Sequence, residues 1–211
     1  MHTQTLKEEI INTVIHGVGF LFAMAALILM IVYASLTKEL MLIASTTVFG
    51  ISLVFLYYSS SLYHAFSLTN AKYVFRKIDH FNIYILIAGT YTPFALSVVG
   101  GAWGWTLFGI EWGLVVAGIA WKSYFGYRYD FYATMGYAVM GWMMIIVIKP
   151  LLANFNYWGI FWLFGGGVFY TLGIPFFLLD TKHKYFHNIW HVFVLAGSVC
   201  HFLSVFLYII P

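Results

Sequence analysis

The chain has 211 residues, of which 63% are hydrophobic, 21% aromatic and only 8% charged. Soluble domains carry about a quarter charged residues, so this composition excludes a water-soluble globular protein and indicates an integral membrane protein. The net charge of +3 rests on few residues and gives no ground for a nucleic-acid partner, so membrane lipids are the expected partners. The single cysteine, Cys200, excludes an internal disulfide and reads as a small buried hydrophobe.

In chain order, Met1 to Glu9 is polar and carries Glu8 and Glu9 where a signal peptide would carry basic residues. No small-residue cleavage site follows the first apolar run, so that run is expected to stay as a membrane span. Seven runs are apolar enough and long enough to cross a bilayer as helices. They are expected at roughly 13–35, 41–66, 79–99, 104–121, 131–148, 158–179 and 187–209. The breaks fall at Thr37 to Glu39, Ser67 to Lys77, Gly100 to Gly104, Lys122 to Asp130, Lys149 to Tyr157 and Asp180 to Phe186. Residues 1–211 therefore read as one all-α, seven-transmembrane helix bundle of a multi-pass cell-membrane protein. Pro93 and Pro175 should kink the third and sixth spans, and Gly165-Gly166-Gly167 should let the sixth pack closely on a neighbour.

Seven crossings put the two ends on opposite sides. Lys7, Lys72, Arg76, Lys77, Lys122, Arg128, Lys182 and Lys184 share the side of the N-terminus, against Lys38 and Lys149 on the other. This bias predicts a cytoplasmic N-terminus and a C-terminus outside.

With that topology Glu9, Asn12 and His16, His64, Asp79 and His187 all fall near the inner leaflet, while the outer span ends are almost free of ionisable residues. On a helix, residues four apart share a face about one turn, roughly 6 Å, from each other, so His187 and His191 can aim two imidazoles at one spot. The other reading of this pair is a helix end that touches lipid headgroups. With His64 they make a set of three nitrogen ligands that leaves a fourth zinc position open. Asp79 is the candidate catalytic proton acceptor, with the N-cap of the third span as its alternative role. Ser60, four residues before His64, can orient the imidazole or a water, or simply let helices pack. Glu9, Asn12 and His16 can stand behind the metal histidines, and an N-terminal cap explains Glu9 equally well. His80 is expected to point away from Asp79. Glu111, in the middle of the fourth span, reads as a protonated acid bonded to a neighbouring helix. His201, about 15 Å beyond His191 along the helix, reads as a hydrogen-bonded interior residue.

Glu9-x-x-Asn12-x-x-x-His16-Gly17, Ser60-x-x-x-His64, Asp79 followed by Ala88-Gly89-Thr90-Tyr91-Thr92-Pro93, and His187-x-x-x-His191 occur in the order and on the spans of the hemolysin III motifs. The chain resembles that family, the microbial branch of the progestin and adiponectin receptor superfamily, over its whole length. The resemblance implies a seven-helix bundle that holds zinc through His64, His187 and His191, with Asp79 and Ser60 matching the family's third-span aspartate and second-span serine. It also implies two competing activities. The adiponectin receptors and alkaline ceramidases of the wider superfamily suggest hydrolysis of lipid amides or esters such as ceramide. The hemolysin III name suggests lysis through pores, and a ligand-sensing receptor with structural zinc is a third option. A pore needs a polar stripe through the bundle, which the sequence lacks, so the expected function is a zinc-dependent lipid hydrolase.

Overall fold

The computed structural model describes residues 4–126 and 128–210; residues 1–3, 127 and 211 of the expected domain lie outside the described residues. Helix α1 (Leu6–Thr37) starts at a capping box, in which Thr5 accepts from the Glu8 amide and the Glu8 carboxylate accepts from the Thr5 amide. Glu8 and Glu9 in the first turn favour the positive end of the helix dipole. The helix therefore begins well before residue 13, because capping rather than hydropathy sets its start. It stops at Lys38, which adopts a left-handed conformation (φ 61°).

The next helices are α2 (Leu40–Ala65) and α3 (Ala71–Pro93), and α3 continues as a π-helical stretch over Phe94–Val99. Helix α3 thus starts at Ala71, ahead of the expected span start at 79. Lys72, Arg76 and Lys77 are good helix formers, and Lys72 turns its ammonium group to Glu9, so charge does not end the helix there. Gly100 (φ 62°) and Gly101 (φ 53°) then reverse the chain into α4 (Gly101–Phe125), a pair of left-handed positions that residues with a Cβ avoid.

The fifth span is composite: α5 (Asp130–Trp142), a 3-10 stretch over Met143–Val147 and α6 (Ile148–Asn154). It runs past the expected break at Lys149, because Pro150 sits in the first turn of α6, where no amide donor is needed. The bundle closes with α7 (Tyr157–Leu178) and α8 (Phe186–Tyr208), which match the expected sixth and seventh spans. Among the described residues seven helical stretches are long and apolar enough to cross a membrane.

Helix α1 packs on α2 and α8, α2 on α3, α3 on α4 and α5, and α7 on α5 and α8. Small residues allow the closest of these approaches: a Cβ at Gly19 would overlap the Tyr57 ring, and one at Gly166 would lie 2.3 Å from His201. Of the expected sixth-span glycines, Gly166 alone serves this packing; Gly165 faces open space. Phe49, Leu53, Tyr57 and Phe94 fill the centre. Leu21, Leu36, Val116 and Val139 stay exposed, as expected where the solvent is lipid. Buried hydroxyls return to their own helices, Thr46 to the Leu42 carbonyl (2.7 Å) and Ser52 to the Phe49 carbonyl (2.7 Å).

Two expectations about single residues change. Asp79 lies in the third turn of α3 and does not cap it. Glu111 is fully buried, yet neither carboxylate oxygen has a hydrogen-bond partner among the described residues, so the expected bond to a neighbouring helix is not made. An unpaired buried polar group costs about 1–3 kcal/mol. Glu111→Leu is accordingly expected to raise the melting temperature in detergent micelles. A fall would mean that the carboxyl group carries a favourable interaction.

Candidate metal centre

The polar ends of α1, α2, α3 and α8 meet on one side of the bundle. There His64, His187 and His191 each present a ring nitrogen, all three within 4.8 Å of one another. Ring centroids are 5.2 Å apart for His64 and His187, 4.9 Å for His64 and His191, and 4.6 Å for His187 and His191. The one-turn spacing of His187 and His191 on α8 thus does what the helical period requires, and His64, from the last turn of α2, completes the group.

Two carboxylates orient these rings. His64 donates its Nδ1 proton to Glu9 Oε2 at 2.6 Å, and His187 donates its Nδ1 proton to Asp180 Oδ2 at 2.7 Å. A carboxylate accepts here, so Nδ1 carries a proton in both rings and Nε2 is the nitrogen that can bind a metal when the ring is neutral. His64 Nε2 is buried with no hydrogen-bond partner among the described residues, and so is His191 Nδ1. Two anchored imidazoles, a third beside them and unpartnered nitrogens among them form a donor set that could hold a metal ion.

Glu9 is buried and also takes the ammonium group of Lys72, so it faces a cation on one side and His64 on the other. It does not cap α1, a role that falls to Thr5 and Glu8. The Asn12 amide nitrogen lies 3.5 Å from His64 Nδ1, and Asn12 Oδ1 accepts from Asn188 at 2.5 Å. His16 reaches the group differently, stacked on His191 at 3.6 Å between centroids. Its two ring nitrogens make no geometric hydrogen bond among the described residues, and the stacked ring is its contact with His191.

A cavity of about 110 Å³ opens beside the cluster, lined by His187, His191, His16, Ser60 and Asp79 at one end. Beyond them its wall is mostly apolar, with Leu56, Ile83, Leu86, Ile87, Ile174 and Val194. A water occupies roughly 10–15 Å³ on this measure, so the space holds several solvent molecules or part of an apolar chain. Along α3 the lining runs from Asp79 to Tyr91, roughly 18 Å at the helical rise.

The structure thus brings Ser60 and Asp79 to the same cavity as two of the histidines, His187 and His191. His80, expected to point away, lines the cavity as well, since the space is broad enough to meet both flanks of α3. On the α5 side Tyr137 donates to the His80 carbonyl at 3.4 Å. His201 is the interior hydrogen-bonded residue anticipated, donating through Nε2 to the Leu163 carbonyl at 3.1 Å. Asp180, Asn188 and Lys72 were not anticipated. Asp180 lies in the polar break before α8, seven residues from His187, and no periodicity marks it.

The chain matches the family model described as "Haemolysin-III related" over residues 4–202. It is 42% identical over 209 residues to "Hemolysin-3" of Bacillus cereus, covering 99% of this chain and 95% of that protein. It is 43% identical over 204 residues to the "Hemolysin-3 homolog" of Bacillus subtilis (strain 168), covering 97% of this chain and 95% of the relative. A more distant relative, the human "Monocyte to macrophage differentiation factor", is 25% identical over 171 residues, covering 77% of this chain and 69% of its own. The match extends from the N-terminal turn of α1, which supplies Glu9 and Asn12, through the histidine pair of α8, so this multi-pass membrane protein belongs to the haemolysin-III-related family.

Proposed function

We propose that the protein is a zinc-dependent hydrolase of lipid amides or esters, ceramide-like in chemistry, working at the cytoplasmic leaflet. The observation that carries this reading is the junction of a buried three-histidine group with a mostly apolar cavity whose polar end also holds Asp79 and Ser60. His64, His187 and His191 would hold the ion, which supplies Lewis acidity for polarising a carbonyl and acidifying water. Asp79 accepts a proton from the attacking water on a carboxylate oxygen and returns it to the leaving amine or alcohol. From the third turn of α3 its carboxylate is not occupied by the first amides of a helix, which leaves it for this task. Ser60 orients the reacting groups by a hydrogen bond, and the apolar wall excludes water and seats the acyl chain. The excess of Lys and Arg on the side of the N-terminus supports a cytoplasmic position for the site.

The test is release of fatty acid from lipid amides by purified protein in micelles. Asp79→Asn is expected to keep its metal and lose about 10²–10⁴-fold in turnover, the usual contribution of a positioned general base. The names of the Bacillus relatives support a second reading, lysis of membranes. Dye leakage from liposomes that is indifferent to metal and to Asp79→Asn, without lipid turnover, would favour it.

A further inference from the structure

Residues on both sides of His187 are held by one amino acid of α1. The Glu8 carboxylate accepts the Tyr185 amide at 2.7 Å through Oε1, and the Glu8 main-chain carbonyl accepts the Asn188 side chain at 2.9 Å. Its other oxygen, Oε2, is fixed by the Thr5 amide and hydroxyl, both at 2.8 Å. Tyr185 is the N-cap of α8 and has φ 63° and ψ 0°, a left-handed conformation that a residue with a Cβ adopts only when held there. Asn188 also reaches Asn12, which lies against His64.

We infer that Glu8 is a positioning residue for the metal centre: it locks the turn that feeds α8 and so fixes where His187 points. This rests on the metal reading above, because what Glu8 positions is a ligand. Capping of α1 alone would need only the contact with Thr5. The second carboxylate oxygen goes instead to an amide 177 residues away in sequence, two residues before His187. With Asp180 holding the His187 ring and Glu8 holding the Tyr185 amide and the Asn188 side chain on either side of it, the nitrogen stays aimed at the cluster without help from the ion.

The test titrates purified full-length protein with Co²⁺, a spectroscopic stand-in for zinc, and reads the affinity and the visible absorption bands that report coordination geometry. Glu8→Ala is expected to weaken Co²⁺ binding about 10–100-fold, as loss of support behind a ligand does, and to alter the bands. Adding Tyr185→Gly is expected to restore much of both, because glycine takes a positive φ without being held. A role confined to capping α1 would not respond to residue 185. Glu8→Gln keeps the volume but turns an NH₂ group toward one of the donors, so it should weaken binding in the same direction if the alanine variant does not survive purification. Wild-type affinity in the Glu8 variants, or no restoration by Tyr185→Gly, overturns the inference while leaving the metal reading intact. No Co²⁺ uptake by the wild-type protein overturns both.

Discussion

His64→Ala, His187→Ala and His191→Ala are each expected to weaken zinc binding by more than about 100-fold, beyond the range for residues that merely support a ligand. They should also remove zinc-dependent heat stability, about 2.7 kcal/mol at free zinc one hundred times the dissociation constant. The three should differ in the metal-free state. His64 pairs with buried Glu9, whereas His187 pairs with Asp180 near the surface, where side-chain exposures are 11% and 18%. Removing the imidazole N–H leaves an oxygen of the buried Glu9 carboxylate without that donor, which costs about 1–3 kcal/mol, and Lys72 moderates the loss by sharing Glu9. His64→Ala is therefore expected to lower the metal-free melting temperature most. Elemental analysis and thermal unfolding with and without chelator check both parts. An unchanged zinc content in any of the three variants would remove that residue from the site.

Gly104→Ala is expected to destabilise the fold by about 3 kcal/mol, near the upper end for overpacking. A Cβ there would lie 2.1 Å from the Ala95 carbonyl oxygen and 3.1 Å from its carbon. That oxygen cannot yield easily, because it accepts the Gly100 amide at 2.9 Å and so closes the π-helical stretch before the turn into α4. For a chain of this size the cost corresponds to a fall of roughly 6–12 °C in melting temperature. Gly113→Ala on the same helix meets nothing within 4 Å and should be neutral or stabilising by up to about 1 kcal/mol. Equal effects at the two positions would mean that helix propensity, and not the close approach to Ala95, governs both.

What the sequence makes legible is whatever repeats with the helical period. His187 and His191 lie on one face because they are four apart, and Ser60 and His64 bear the same relation on α2. Topology then brings Glu9 to His64, since both stand at the same depth. What it hides depends on turns. Asp180 reaches His187 only because the connection before α8 folds back, and Tyr185 takes its left-handed conformation there, against the preference of its side chain. Helix starts are hidden as well. Hydropathy averages over a membrane thickness and discards the charged first turns of α1 and α3, so a cap is the alternative role it allows for Asp79 although two turns of helix precede that residue. Glu111 illustrates a third limit. A carboxyl group in an apolar run invites the assumption of a partner, but whether one exists depends on which side chains the adjoining helices present, and periodicity along α4 carries no such information.

X-ray absorption at the zinc edge, on wild-type protein purified without added chelator and analysed for metal content, tests the claim on which the rest depends. The expected result is roughly one zinc per chain with three imidazole nitrogens at about 2.0–2.1 Å and a lighter oxygen shell beside them. Protein that retains its fold and carries no stoichiometric metal, or zinc whose spectrum lacks imidazole scattering, would contradict it.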